Sequence, residues 1–273
     1  EQVADPAQVQ RVSAIRVGDR VATLAWNGYR HLELYYAIAG IGAVCHTINP
    51  RLPADQMAYI VNHADDSLLF FDTTFAPLVS GLRDQFPEHT RYVAMTDRAH
   101  MPDGQDLLCY EDLLDGQPDH YDWPELDENT ACALCYTSGT TGAPKGAMIS
   151  HRNVLFQLAA GERVLEAHED DDQLCFLPLC HILERLVSVE LPIYKGCTVN
   201  FAESPETVFE NLREVSPNTF AAVPRLWEKI YSSLMTLRDE ATGFGRWCFD
   251  HALAALVTRD GMIGVAATSG ARA

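Results

Sequence analysis

Residues 131–150 read ACALCYTSGTTGAPKGAMIS: an apolar run, a loop dense in Gly, Ser and Thr, and a second, shorter apolar run. The segment Ala131 to Tyr136 predicts a buried strand, and the residues after Gly146 predict another strand straight after the loop. Between them, Gly139, Gly142 and Gly146 permit positive φ and close backbone approach, so successive N–H groups can converge on an anion. Thr137, Ser138, Thr140 and Thr141 surround that concavity with hydroxyls. Lys145 adds a cation on a long stem, suited to a phosphate or carboxylate that moves during a reaction, and Pro144 stiffens the approach to it. The P-loop of nucleoside triphosphatases differs, since it requires Gly-Lys-Ser/Thr opening a helix, whereas Lys145 stands between Pro144 and Gly146 with a strand following. A polar turn between two strands is the plainer alternative. It does not call for five consecutive Ser, Thr or Gly residues after Thr137 and then Pro-Lys-Gly.

Outward from this loop, short apolar runs alternate with amphipathic segments. RVATLAW, AVCHTI, SLLFFD, RYVAM, QLCFLPL and CTVNF read as strands, with helices at Tyr29 to Ala39 and Ala54 to Asn62 and between most later strands. The pattern is that of an α/β protein with mostly parallel sheets flanked by helices. Residues 96–128, rich in Asp, Gly and Pro, read as a surface connection between subdomains, broken by one short helix near Tyr110 to Leu114. The acidic run Glu169 to Asp172 reads as a solvated turn. GRWCFDHALAALV can form one more helix, so residues 1–260 are expected to make one partial domain, followed by an irregular tail at 261–273.

With 273 residues, 47% of them hydrophobic, the chain can bury a substantial core. Its net charge of -18 argues against nucleic acid held by a general phosphate field, so an anionic ligand must be held locally. Eight cysteines, several inside strand-like runs, suit buried thiols in a reducing, cytoplasmic setting. Cys132 and Cys135 have CxxC spacing, but no second pair of ligands follows, so strand residues are the better reading than zinc or redox chemistry. No run approaches the ~20 apolar residues of a transmembrane helix, and the charged, Pro-containing start EQVADPAQVQRVS does not read as a signal peptide. The negative charge opposes adsorption to anionic lipid, while peripheral membrane attachment and oligomeric state stay open.

YTSGTTGAPKG, Tyr136 to Gly146, resembles the phosphate-binding signature of the adenylate-forming superfamily: acyl-CoA synthetases, luciferases and peptide-synthetase adenylation domains. GDRVATLAWNGYRHLELYYAIAGIGAVCHTINPRL and YIVNHADDSLLFFD resemble the amino-terminal half of bacterial fatty-acyl-CoA synthetases. LPLCHILERL and AVPRLWEKIY resemble the long-chain fatty-acid–CoA ligase branch. The resemblance implies an incomplete N-terminal domain of that fold, and the reaction of ATP, a fatty acid and coenzyme A to acyl-CoA, AMP and diphosphate through an acyl-adenylate. It implies that Thr137, Ser138, Gly139, Thr140, Thr141, Gly142 and Lys145 hold the nucleotide, that Thr137 ligates Mg²⁺, and that Lys145, Thr137 and His181 serve catalysis. His181 would lie near the route to the acyl and pantetheine sites, and Trp227 would line the acyl side; a helix-start histidine and a core aromatic are the plainer alternatives.

Arg185 stands near the place of a gating Trp in some bacterial relatives. His46, His63 and His151 match structural positions, with Ser150 as an N-cap. The family's YGxTE segment with its second Mg²⁺ ligand, the ribose-binding Asp, and the small C-terminal domain with its Lys have no counterpart here. The chain is therefore expected to cover roughly half of a full-length relative and to turn over ATP and fatty acid negligibly by itself. Alternatives are an adenylating enzyme for another carboxylic acid, disfavoured by LPLCHILER, and a non-catalytic nucleotide-binding remnant, disfavoured by the intact loop.

Overall fold

A computed structural model describes residues 14–104, 106–137, 142–163, 167–204 and 206–260, and side chains up to 254. Its strands are β1 (Arg20–Leu24), β2 (Val44–Thr47), β3 (Leu68–Phe71), β4 (Arg91–Ala94), β5 (Leu107–Cys109), β6 (Ala131–Thr137), β7 (Lys145–Ser150), β8 (Asp172–Cys175) and β9 (Thr198–Phe201). The α-helices are α1 (Tyr29–Gly40), α2 (Ala54–Ala64), α3 (Ala76–Leu82), α4 (Tyr110–Leu114), α5 (His151–Gly161), α6 (Ile182–Arg185), α7 (Leu191–Lys195), α8 (Val208–Val215), α9 (Pro224–Glu240) and α10 (Gly243–Asp260). The chain divides into two compact units, residues 1–220 and 221–273.

In the first unit, seven strands hydrogen-bond in the order β5, β4, β3, β1, β2, β6, β7, and β8 and β9 form a second, parallel pair. Neighbours from β5 to β6 are parallel, while β6 and β7 form an antiparallel hairpin. The central strands β1, β2 and β3 are buried almost throughout because helices cover both faces. On one face Val21, Cys45, Leu68, Phe70 and Val93 pack with Leu34, Tyr35 and Ile38 of α1. On the other, Ala22, Leu69, Phe71 and Tyr92 pack with Met57, Ile60 and Val61 of α2 and Val79 and Leu82 of α3. The first crossover places β2 on one side of β1 and the next places β3 on the other. The strand order thus reverses at β1, and in open α/β sheets the loops at the carboxyl ends of such strands form the ligand crevice.

Two readings of the sequence need correction. The connection 96–128 contains the expected helix α4, but directly before it Leu107–Cys109 pairs with β4 and extends the sheet, so this part is core rather than only surface. In the acidic run, the Asp171 carboxylate is buried and accepts from the His168 N–H at 2.8 Å, and Asp172 opens β8. Ser150 does cap α5, in a reciprocal box with Asn153.

In the second unit α9 starts with a proline in its first turn, where a missing N–H is tolerated. Arg238 of α9 grips Asp250 of α10 through two bonds of 2.6 and 3.0 Å. The tail 261–273 lies outside the described residues. No described helix is long and apolar enough to cross a membrane.

Phe71, 1% exposed at the centre of the α2/α3 face, is the largest apolar side chain on β3 to be so fully enclosed. We expect Phe71→Ala to lower unfolding stability by about 3–5 kcal/mol in urea titration; a loss under about 1 kcal/mol would mean that this face is not packed as described.

Candidate active site

The hairpin register pairs Thr137, the last residue of β6, with Lys145, the first of β7. Both side chains are exposed. The Thr137 hydroxyl is 3.5 Å from the Lys145 carbonyl oxygen, at the limit of a hydrogen bond and easily exchanged for a better acceptor. Among the described residues Lys145 makes no ion pair. Gly142 has φ +110°, which a residue with a Cβ rarely adopts. Gly146 serves differently: a Cβ there would come within 2.9 Å of Leu134 Cδ1 and 3.3 Å of Tyr136 Cζ, so it allows cross-strand packing under the loop. Ser138, Gly139, Thr140 and Thr141 lie outside the described residues.

Below the loop, Tyr136 is anchored from two sides. Its ring lies 5.0 Å from that of His46, and its hydroxyl is 2.7 Å from Nδ1 of His63 on α2. Burial pushes the Tyr136 phenol up to about 12, so it remains a donor near neutrality. His46 in turn holds Asp66 at 2.7 Å, both side chains wholly enclosed. Burial raises the Asp66 pKa and the histidine opposes that rise. His46 and His63 thus fix the residue before Thr137.

A second group of candidate residues follows β8. His181 is exposed and caps α6: its Nδ1 accepts from the Leu183 N–H at 3.3 Å, which leaves Nε2 for another partner. The loop before it, from Phe176, is held by side chains of the large sheet. Asn27, just past β1, donates to the Leu177 carbonyl at 2.8 Å and accepts from the Leu179 N–H at 3.0 Å. Tyr35 of α1 donates to the Leu179 carbonyl at 2.6 Å. The Glu184 carboxylate, 3% exposed, accepts from the Leu177 N–H and the Ser188 hydroxyl. Arg185 is buried too, its guanidinium 4.6 Å from the Tyr35 ring centroid and 3.4 Å from Glu190.

The loops at the carboxyl ends of β1, β2, β8 and β9 enclose a cleft of about 280 Å³ lined by Trp26, Asn27, Arg51, Phe176, Pro178 and Glu203 among others. Trp26 is steadied by Thr74, which accepts from its indole N–H at 2.9 Å, and by His31, whose ring nitrogen is 3.1 Å from the Trp26 carbonyl. Burial lowers the His31 pKa to about 4, so the ring is neutral. None of Asn27, Tyr35, Glu184, Trp26 and Arg51 stood out in the sequence; the signal available was position, Trp26 at the end of the first apolar run, Asn27 and Arg51 shortly after the first and second, and Glu184 inside LPLCHILER, with none for Tyr35 within α1. Trp227 is in the first turn of α9, in the second unit, and partly exposed. Cys132 and Cys135 lie on β6; burial pushes the Cys132 thiol up to about 11 and keeps it protonated.

The sequence profile of the family described as "AMP-binding enzyme" matches residues 7–259. The 3-methylmercaptopropionyl-CoA ligase of Ruegeria lacuscaerulensis is 48% identical over 168 residues, covering 60% of this chain and 31% of that protein. The medium-chain-fatty-acid–CoA ligase of Ectopseudomonas oleovorans is 44% identical over 171 residues, 60% of this chain and 31% of that protein. Among solved structures, the anthranilate CoA ligase AuaEII in complex with anthranoyl-AMP matches with a TM-score of 0.73 at 22% identity, over 80% of this chain and 42% of that one, a likeness of fold. The matched segments span about a third of the length of these curated relatives.

Burial raises the folded-state pKa of Glu184 above its ordinary 4.5, with Ser188 opposing. The native chain therefore binds this proton more tightly than the unfolded one, and the resulting contribution to stability, fully present below about 4.5, is lost as pH rises through the raised pKa. We expect Glu184→Gln to remove this part of the downward slope of stability against pH in urea titrations; parallel pH profiles for variant and wild type would contradict the burial of an ionisable group here.

Proposed function

We propose, from the premise that the chain belongs to the family of AMP-binding enzymes, that it forms part of a fatty-acid–CoA ligase and supplies its phosphate-binding loop. The main support is the hairpin that sets Thr137 opposite Lys145 at the carboxyl edge of a parallel sheet, with a glycine at φ +110° between them. In the first half-reaction a carboxylate oxygen attacks the α-phosphorus of ATP; the acyl-adenylate forms and diphosphate leaves. In the second, the thiol of coenzyme A loses its proton and attacks the acyl carbonyl, and AMP leaves.

Attack of one anion on another requires local neutralisation, all the more in a chain of net charge -18. Lys145, exposed and without an ion pair among the described residues, is the cation for the β- and γ-phosphates. Thr137 offers an exposed hydroxyl with only a marginal internal partner, which fits a ligand of Mg²⁺. Bound there, Mg²⁺ would supply Lewis-acid stabilisation of the leaving diphosphate. Gly142 lets the backbone approach the phosphates. The cleft beside Asn27 is the place for the thiol cosubstrate: Arg51 can meet its phosphates and Trp26 can stack on an aromatic base, while Glu203 limits how much negative charge the far wall accepts. His181, three residues beyond Pro178 of the cleft, would lie near the route to the acyl and pantetheine sites. The eight free thiols suit a reducing, cytoplasmic setting.

Titration calorimetry with Mg·ATP tests the loop. We expect Lys145→Ala to weaken binding at least tenfold, about 1.4 kcal/mol; equal affinity in variant and wild type would overturn the assignment.

A further inference from the structure

We propose that Asn27 is the positioning residue for the loop Phe176–His181, so that the large sheet sets the geometry of the segment that carries Pro178 and His181. The proposal rests on reading the cleft as the thiol side of the site. Asn27 lies three residues beyond the end of β1 and about 150 residues from the loop in sequence. Its amide nitrogen donates to the Leu177 carbonyl at 2.8 Å and is 3.3 Å from the Cys175 sulfur; its amide oxygen accepts from the Leu179 N–H at 3.0 Å. The two backbone partners flank Pro178, which lines the cleft and whose carbonyl accepts from the His181 N–H at 2.8 Å.

This arrangement repeats what a neighbouring strand does. A primary amide presents a donor and an acceptor side by side, as a peptide group does, and bonds the C=O of one residue and the N–H of the residue two further on. The parallel pairing of β8 with β9 ends at Cys175 and Phe201. Beyond it the chain would leave these polar groups without a ladder, and Asn27 takes over that role while its own side chain walls the cleft. Glu184 and Tyr35 take the remaining two groups, the Leu177 N–H and the Leu179 carbonyl. Chemistry selects asparagine here: aspartate keeps an acceptor but turns a repelling oxygen toward the Leu177 carbonyl, and leucine offers neither contact.

Hydrogen–deuterium exchange, corrected for intrinsic rates, tests the proposal on the full chain. In Asn27→Ala, peptides covering 176–183 should exchange at least tenfold faster than wild type, with those of β3 unchanged. Asn27→Asp should show the same release near neutral pH and regain protection as the pH is lowered, because the neutral acid again offers a donor to the Leu177 carbonyl. That pH profile would not arise from a cavity or from general loosening, and it decides the matter if the alanine variant unfolds. Wild-type exchange of 176–183 in the alanine variant, or no pH-dependent recovery in the aspartate variant, would overturn the proposal. Coenzyme A binding, measured in parallel, is expected to weaken at least tenfold in Asn27→Ala. A released loop with undiminished coenzyme A binding would support the positioning role and remove the functional reading of the cleft; an unreleased loop would remove the positioning role whatever coenzyme A does.

Discussion

Strand β6 is paired on both flanks, parallel to β2 and antiparallel to β7, and the chemistry proposed for this chain depends on that double pairing. Parallel neighbours can be joined only by long crossovers, but the antiparallel return brings Lys145 back beside Thr137 after seven residues. The register therefore determines where both side chains begin. It is held from beneath by Tyr136, which His46 and His63 secure on one side of the strand, and by Gly146, whose missing Cβ leaves room for Leu134 and Tyr136. A slip of one residue would turn Tyr136 away from both histidines and disturb the packing over His46 and its buried partner Asp66.

The second candidate segment, Phe176 to His181, is secured by the same physical requirement in another form. A loop leaving a strand must find partners for its N–H and C=O groups, or bear the cost of burying them unpaired. After β8 those partners are side chains: Asn27, Tyr35 and Glu184. Because two of the three come from the β1–α1 part of the chain, the small parallel pair is tied to the large sheet through polar contacts as well as through the apolar packing of Leu179 and Val189 on its core. The cleft lies where these ties converge, beside the strand at which the sheet order reverses.

Most of the fold was legible because its signals are local. Apolar runs such as SLLFFD and RYVAM became β3 and β4, and Ser150 announced the start of α5. The strand Leu107–Cys109 was not legible: three residues between polar neighbours show no periodicity, and only pairing with β4 makes them a strand. Nor could the run Glu169 to Asp172 reveal that Asp171 is the buried one, since its partner His168 identifies it only in three dimensions. The motif Tyr136 to Gly146 stands out because it is contiguous in the chain. Asn27 does not, because what makes it distinctive is its contact with residues about 150 positions away, and a lone Asn after an apolar run otherwise reads as turn chemistry.

The function proposed for this chain turns on whether the loop from Thr137 to Lys145 receives the phosphates of ATP. The sequence has three lysines, Lys145, Lys195 and Lys229, and Lys195 is engaged by Glu162. An acyl-phosphate derivative of ATP transfers its acyl group to the lysine nearest the terminal phosphate, and peptide mass spectrometry identifies which one. Lys145 is expected to be acylated and protected by excess Mg·ATP, with Lys195 and Lys229 labelled only at a background that ATP does not alter. ATP-sensitive labelling at Lys195 or Lys229 with none at Lys145 would contradict the assignment.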